Sequence, residues 1–208
     1  MFDPAMSESP LVRFDLGARA ASAVGDAGIF ACEQAFLGHI NLRGDPHDPR
    51  FVAAVREVVG VAPPMTPNTV AEAEGNTVYW LGPDEWLIVT PGERRAAVES
   101  ELGDALKDLR AAVTDVSGGQ TVVVVQGEHV RQLLAKGCPL DLHPRAFDIG
   151  RCAQTHLAKA PILIRHLDRR SHFEIVVRRS FADYFWRWLE DAAAEYGLGV
   201  DVMSAAGA

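Results

Sequence analysis

The 208-residue chain is poor in the patterns on which most self-contained catalysis rests. Its three cysteines, Cys32, Cys138 and Cys152, lie far apart, and no pair has C-x-x-C spacing. That excludes a zinc knuckle or a thioredoxin-type motif, and the odd count argues against a secreted disulfide framework. No apolar run approaches the roughly 20 residues that a membrane-spanning helix requires. Met1-Phe2-Asp3-Pro4 offers neither a basic region nor an apolar core, so it is not read as a signal peptide. A cytoplasmic protein without a membrane partner is expected.

Positive charge is also scarce. Twenty Lys and Arg face 28 Asp and Glu, a formal net charge of −8. Nucleic-acid binding needs cations to neutralise phosphates, so no nucleic-acid partner is expected. The one basic cluster is Arg165, His166, Arg169, Arg170, Arg178 and Arg179. It fits either a solvated strand edge or a patch that docks an acidic surface.

Catalytic and cofactor motifs are missing too. The seven histidines form no HxH or HExxH cluster. Asp141 and His143 are two apart, which suits a turn better than a metal site. There is no G-x-S-x-G elbow, no GxxxxGK[ST] loop, and no GxGxxG following a strand. Asp115-Val116-Ser117-Gly118-Gly119 reads as a strand end and a glycine turn. No catalytic, cofactor-binding or metal-binding residue is assigned.

What is present is ordinary globular composition, 48% hydrophobic and 23% charged. Residues 1–30 are rich in Ala, Gly and Ser and lack periodicity. They are expected to form an arm, either loose or ordered by a partner. Residues 31–208 are expected to form one pseudo-duplicated domain with halves at about 38–117 and 118–202.

The first half opens on His39-Ile40-Asn41-Leu42-Arg43, which alternates as a half-buried strand does. Asp48 before Pro49 predicts a helix N-cap, and Gly60 predicts its end. A proline-rich loop follows. Thr77–Leu81 and Trp86–Thr90 around Gly82-Pro83-Asp84-Glu85 predict a hairpin. Val98, Leu102 and Leu106 predict an amphipathic helix, and Ala112–Val116 a short strand.

The order then repeats. Val122 to Val125 predicts a strand buried on both faces. A helix through Leu133 and Leu134, a second proline-punctuated loop, a second hairpin and a long aromatic helix follow. This is βαββαβ twice, an α+β protein of two ferredoxin-like halves packed together. Trp186 and Trp188 on the last helix are two apart and cannot share a face, so one of them is a candidate interface anchor. Arg165, Arg169, Arg170, Trp186 and Trp188 are the candidate partner interface.

Three segments carry a family resemblance: Ile40-Asn41-Leu42-Arg43-Gly44; the hairpin Leu81-Gly82-Pro83-Asp84-Glu85-Trp86-Leu87; and Val116-Ser117-Gly118-Gly119-Gln120-Thr121 leading to Lys136-Gly137-Cys138-Pro139-Leu140-Asp141-Leu142. The chain resembles the gamma subunits of heterotetrameric sarcosine oxidase over roughly residues 35–195. It is thereby related to the folate-binding domain of the glycine cleavage aminomethyltransferase. The resemblance implies a non-catalytic subunit beside alpha, beta and delta chains. The parent complex oxidises sarcosine to glycine with release of hydrogen peroxide, and with tetrahydrofolate yields methylenetetrahydrofolate. FAD, covalent FMN and NAD are implied on the partner subunits and none on this chain. The aminomethyltransferases use a catalytic aspartate, and Asp115 is the candidate acid at that place, without a motif match that assigns the role. A stand-alone folate-binding or aminomethyltransferase-like protein is the alternative function, and an unrelated adaptor is a third.

Overall fold

The computed structural model describes residues 8–21, 27–168 and 170–201. Within them, β2 (Gly38–Arg43), β3 (Val70–Ala73), β4 (Asn76–Gly82), β5 (Glu85–Thr90) and β6 (Ala112–Asp115) form one sheet in the order β3-β4-β5-β2-β6. The helices α2 (Pro49–Val59) and α3 (Arg95–Leu106) belong to this half. The Asp48 side chain accepts from the Arg50 N–H at 2.9 Å, and Gly60 closes α2 at φ 86°, so the expected caps are in place.

The second sheet holds β7 (Gln120–Gln126), β8 (Cys152–Leu157), β9 (Ala160–Asp168), β10 (His172–Arg178) and β11 (Leu198–Val200), with α4 (Val130–Ala135) and α5 (Arg179–Ala193) as its helices. β8 is the counterpart of β3, each lying outside its hairpin at a sheet edge. One strand has no counterpart. β1 (Ile29–Gln34) lies between β7 and β11, antiparallel to the first and parallel to the second.

Each sheet buries both faces. Ile40, Leu42, Val78, Trp86 and Ile88 pack on Phe51, Val55, Val98 and Leu102 of α2 and α3. On the other half, Val123, Val125, Ile164 and Ile175 pack on Leu133, Phe185, Trp186 and Leu189. The remaining faces meet: Tyr79, Leu87 and Val89 against Cys32, Val122, Val124, Leu163 and Val176. The layers run helix, sheet, sheet, helix. The unbroken valine run follows directly, because alternate valines of β7 serve different cores.

Three expectations change. Residues 8–21, which include the short helix α1 (Leu16–Ala21) and were expected within a loose or partner-ordered arm, pack on α5 of their own chain; residues 1–7 and 22–26 lie outside the described residues. Leu11 is 1% exposed, Phe14 meets the Trp186 ring at 6.0 Å, and Arg13 and Arg19 reach Asp183 (2.9 Å) and Glu190 (2.5 Å). Two apolar anchors hold this segment despite its Ala- and Gly-rich composition. The domain expected from residue 31 takes in β1 from Ile29, which serves the sheet of the second half. β3 was hidden in the loop after the proline-rich stretch, because Val70-Ala71-Glu72-Ala73 has little strand propensity.

Candidate functional site

Polar chemistry in the described residues gathers where the sheets meet. Tyr79 on β4 and Leu163, Arg165 and Glu174 on β9 and β10 all point into this interior. The Tyr79 hydroxyl donates to the Glu174 carboxylate. Arg165 is 6% exposed and lies over the Tyr79 ring at 5.9 Å. Its guanidinium meets Glu72 of β3 at 2.6 Å and Glu174 at 3.9 Å. Burial, and then the adjacent Glu174 charge, push the Tyr79 phenol well above its usual range. The cluster is a clamp across the sheets, with each charge answered by another.

Asp115 ends β6. Its carboxylate pairs with Arg95 at 2.9 Å and accepts from the Ser117 N–H (2.9 Å) and Ser117 hydroxyl (2.5 Å). Ser117 Oγ in turn accepts from the His39 N–H at 2.8 Å. The acid therefore anchors the turn into β7. His39 is 1% exposed, and burial lowers its pKa to about 4. Its Nδ1 lies 3.1 Å from the Leu37 carbonyl, and its Nε2 has no hydrogen-bond partner among the described residues. Burial likewise raises Cys32 and Cys152 to about 11, which keeps both thiols protonated and unreactive at neutral pH.

Residues of both sheets also line a cavity of about 840 Å³. Leu81, Leu87, Val116, Leu163 and Val176 wall it, and Asn41, Glu85, Asp115, Gln154, His156 and Arg178 reach it. Glu85 is held by Arg43 (2.8 Å) and Asn41 (2.8 Å). The Arg178 side chain has no ion pair or hydrogen bond among the described residues.

The residues singled out as a partner interface do not come together. Arg165 is in the clamp and Trp186, 0% exposed, is in the core beneath α5; neither can anchor a partner on the surface. The basic cluster that includes Arg165 was expected at a solvated strand edge or in a docking patch, but Glu72 and Glu174 draw the Arg165 charge inward. Trp188 is half-buried and rests on Gly137, where an added Cβ would come within 2.6 Å of its ring. Arg170 is exposed, and Arg169 lies outside the described residues. Asp141 accepts from the His143 N–H (2.9 Å) and His143 Nδ1 from the Arg145 N–H (3.2 Å), so this pair builds a turn. Sequence reasoning missed the clamp, although Leu163 and Arg165 have the same strand parity and so had to share a face.

Two stacked sheets, each a ferredoxin-like unit with its own helices, define a protein of the aminomethyltransferase folate-binding-domain fold. Glycine cleavage system aminomethyltransferase T from Bartonella henselae has this fold, with a TM-score of 0.64 over 89% of this chain and 50% of that one, at 12% identity. The relationship narrows with sequence. Residues 43–195 match the sarcosine oxidase, gamma subunit family. The sarcosine oxidase subunit gamma of Corynebacterium sp. (strain P-1) is 38% identical over 165 residues, 79% of each chain. A chain of the heterotetrameric sarcosine oxidase from Corynebacterium sp. U-96, solved with pyrrole 2-carboxylate, has a TM-score of 0.82 and 30% identity, covering 98% of this chain and 100% of that one. The chain belongs to the sarcosine oxidase gamma subunit family. Among the described residues, no helix is long and apolar enough to cross a membrane.

Proposed function

We propose that this chain is the non-catalytic gamma subunit of a cytoplasmic heterotetrameric sarcosine oxidase and supports its assembly with alpha, beta and delta subunits. The observation that carries the reading is the end-to-end likeness, 98% of this chain on 100% of the other, to a chain of such a complex. The clamp adds to it, since its acid, phenol and guanidinium hold one another rather than face a substrate. The reading places FAD, FMN and NAD on the larger chains, where sarcosine would give glycine and hydrogen peroxide, and methylenetetrahydrofolate when tetrahydrofolate is supplied. Co-expression with those three chains tests it. A four-chain flavoprotein that turns over sarcosine, with no turnover by this chain alone, is the expected result. Turnover by the isolated chain, or failure to co-purify, would overturn it.

One observation favours a second reading, in which this chain itself binds folate: the cavity lined by both sheets, with Arg178 available for an anionic tail. Calorimetry of the isolated chain with tetrahydrofolate separates the two. Binding heat supports the second reading, and its absence at millimolar ligand removes it.

A further inference from the structure

The sulfur atoms of this chain fall into two kinds. The three thiols are withdrawn from solvent: Cys32, Cys138 and Cys152 are 5%, 7% and 0% exposed. Cys152 Sγ also donates to the Thr69 and Trp80 carbonyls, at 3.4 and 3.8 Å. With burial raising both to about 11, Cys32 and Cys152 are thiolates in only about one molecule in ten thousand at pH 7. A peroxide reacts with the thiolate, so both are shielded twice, by burial and by protonation.

Met65 is the opposite case. It is 49% exposed; the other three methionines, Met1, Met6 and Met203, lie outside the described residues. A thioether needs no deprotonation before it reacts, so exposure governs its oxidation. The backbone on either side is fixed. The buried Trp86 donates its Nε1–H to the Pro64 carbonyl at 2.8 Å, and the Thr69 hydroxyl donates to the Thr66 carbonyl at 2.7 Å. Pro63, Pro64 and Pro67 restrict the same stretch further. Neither bond involves the Met65 side chain, and Met65 belongs to none of the three apolar cores. An oxygen added to its sulfur is solvated where it stands and leaves the packing untouched.

We infer that Met65 is the site, among the described residues, at which hydrogen peroxide oxidises this chain, ahead of all three thiols. The supply of peroxide rests on the gamma-subunit reading; the reactivity of Met65 does not. A sulfur lone pair attacks one peroxide oxygen and the O–O bond breaks. The proton of the transferred hydroxyl passes to the leaving hydroxide, which departs as water. Sulfur is oxidised by two electrons to the sulfoxide, and the peroxide is reduced by two. Methionine sulfoxide can be reduced back, whereas a cysteine sulfonic acid is final, so Met65 serves as a renewable sink.

The test treats the full chain with reagent hydrogen peroxide and, separately, follows the co-expressed complex during sarcosine turnover. Peptide-mapping mass spectrometry reads each residue, and thiol labelling after unfolding counts free cysteines. Reagent peroxide should add one oxygen at Met65 at least about tenfold faster than at any cysteine. All three thiols should still label, and the oxidised chain should melt within about 2 °C of the untreated one. M65L should lack this oxygen gain. A cysteine oxidised first, a Met65 that stays reduced, or a larger fall in melting temperature would overturn the sink. Turnover should mark the same residue, and added catalase should abolish the mark. A complex that turns over sarcosine yet leaves Met65 reduced would overturn its role in the assembled enzyme while leaving the subunit reading intact. A complex without turnover would remove that reading, and the reagent arm alone would then uphold or overturn Met65.

Discussion

The Tyr79 hydroxyl on β4 donates to the Glu174 carboxylate on β10, and this one bond joins the two sheets through their shared interior. Removing the hydroxyl leaves a half-buried carboxylate short of a donor. Y79F should cost about 1–3 kcal/mol in chemical denaturation. The phenol, held protonated first by burial and then by Glu174, should also be silent where ordinary tyrosines ionise near pH 10. An absorbance titration of the folded chain through pH 10 should show no contribution from Tyr79, so that Y79F leaves its amplitude unchanged. The raised phenol pKa stabilises the fold below pH 10, and that contribution declines as pH rises above it.

His39 makes the fold less stable in acid. Its folded pKa of about 4 lies below the unfolded value of 6.5, so between these pH values the unfolded chain binds the extra proton. Stability from this site is present above pH 6.5 and falls as pH drops toward 4, by about 3 kcal/mol in all. H39L should flatten the difference in unfolding free energy between pH 7 and pH 5. An unchanged slope would mean that other groups carry it.

Much of this was legible in the sequence, and the exceptions have a common cause. The Asp48 cap, the Gly60 stop and the Val122–Val125 strand are decided by neighbours in the chain, and the structure has them as read. Arg165 was not legible, because its burial depends on Glu72, Tyr79 and Glu174, two of them in the other half. β1 was obscured by its Ala- and Gly-rich surroundings; its pairing depends on a slot made by strands far along the chain. The candidate interface failed at Arg165 and Trp186 for the same reason, since residue type and spacing do not say which side of a strand or helix a distant partner will cover.

The segment packed on α5 is held by apolar burial more than by its ion pairs. L11A should cost about 2–3 kcal/mol, as for other buried leucines that leave a cavity. R13A removes an exposed pair with Asp183 and should leave the denaturation midpoint close to that of wild type. Equal losses from both would assign the segment's attachment to charge.

The turn between β1 and β2 carries Phe36 at φ 64° and 61% exposed. A bulky side chain in the left-handed region costs about 1–2 kcal/mol relative to glycine's freedom there. F36G should therefore stabilise the isolated chain, by about 1 kcal/mol once glycine's looser unfolded state is counted. The Phe36 carbonyl also sits 2.2 Å from where a Cβ on Gly92 would be, so G92A should destabilise by about 1–3 kcal/mol. A thermal melt of both variants checks the opposite signs.

β1 also governs when the protein can finish folding. Its two neighbours, β7 and β11, come from the middle and the far end of the sequence, and the β1–β11 pairing is among the most non-local in the fold. During synthesis the first sheet can form as soon as β6 has emerged, while β1, made before it, must wait beside an incomplete partner. The second sheet closes only when β11 is released, so this strand stays an open edge for most of translation. Cutting the chain between its halves would not yield two self-sufficient units: the later half would carry a vacant slot, and the earlier half the strand that fills it.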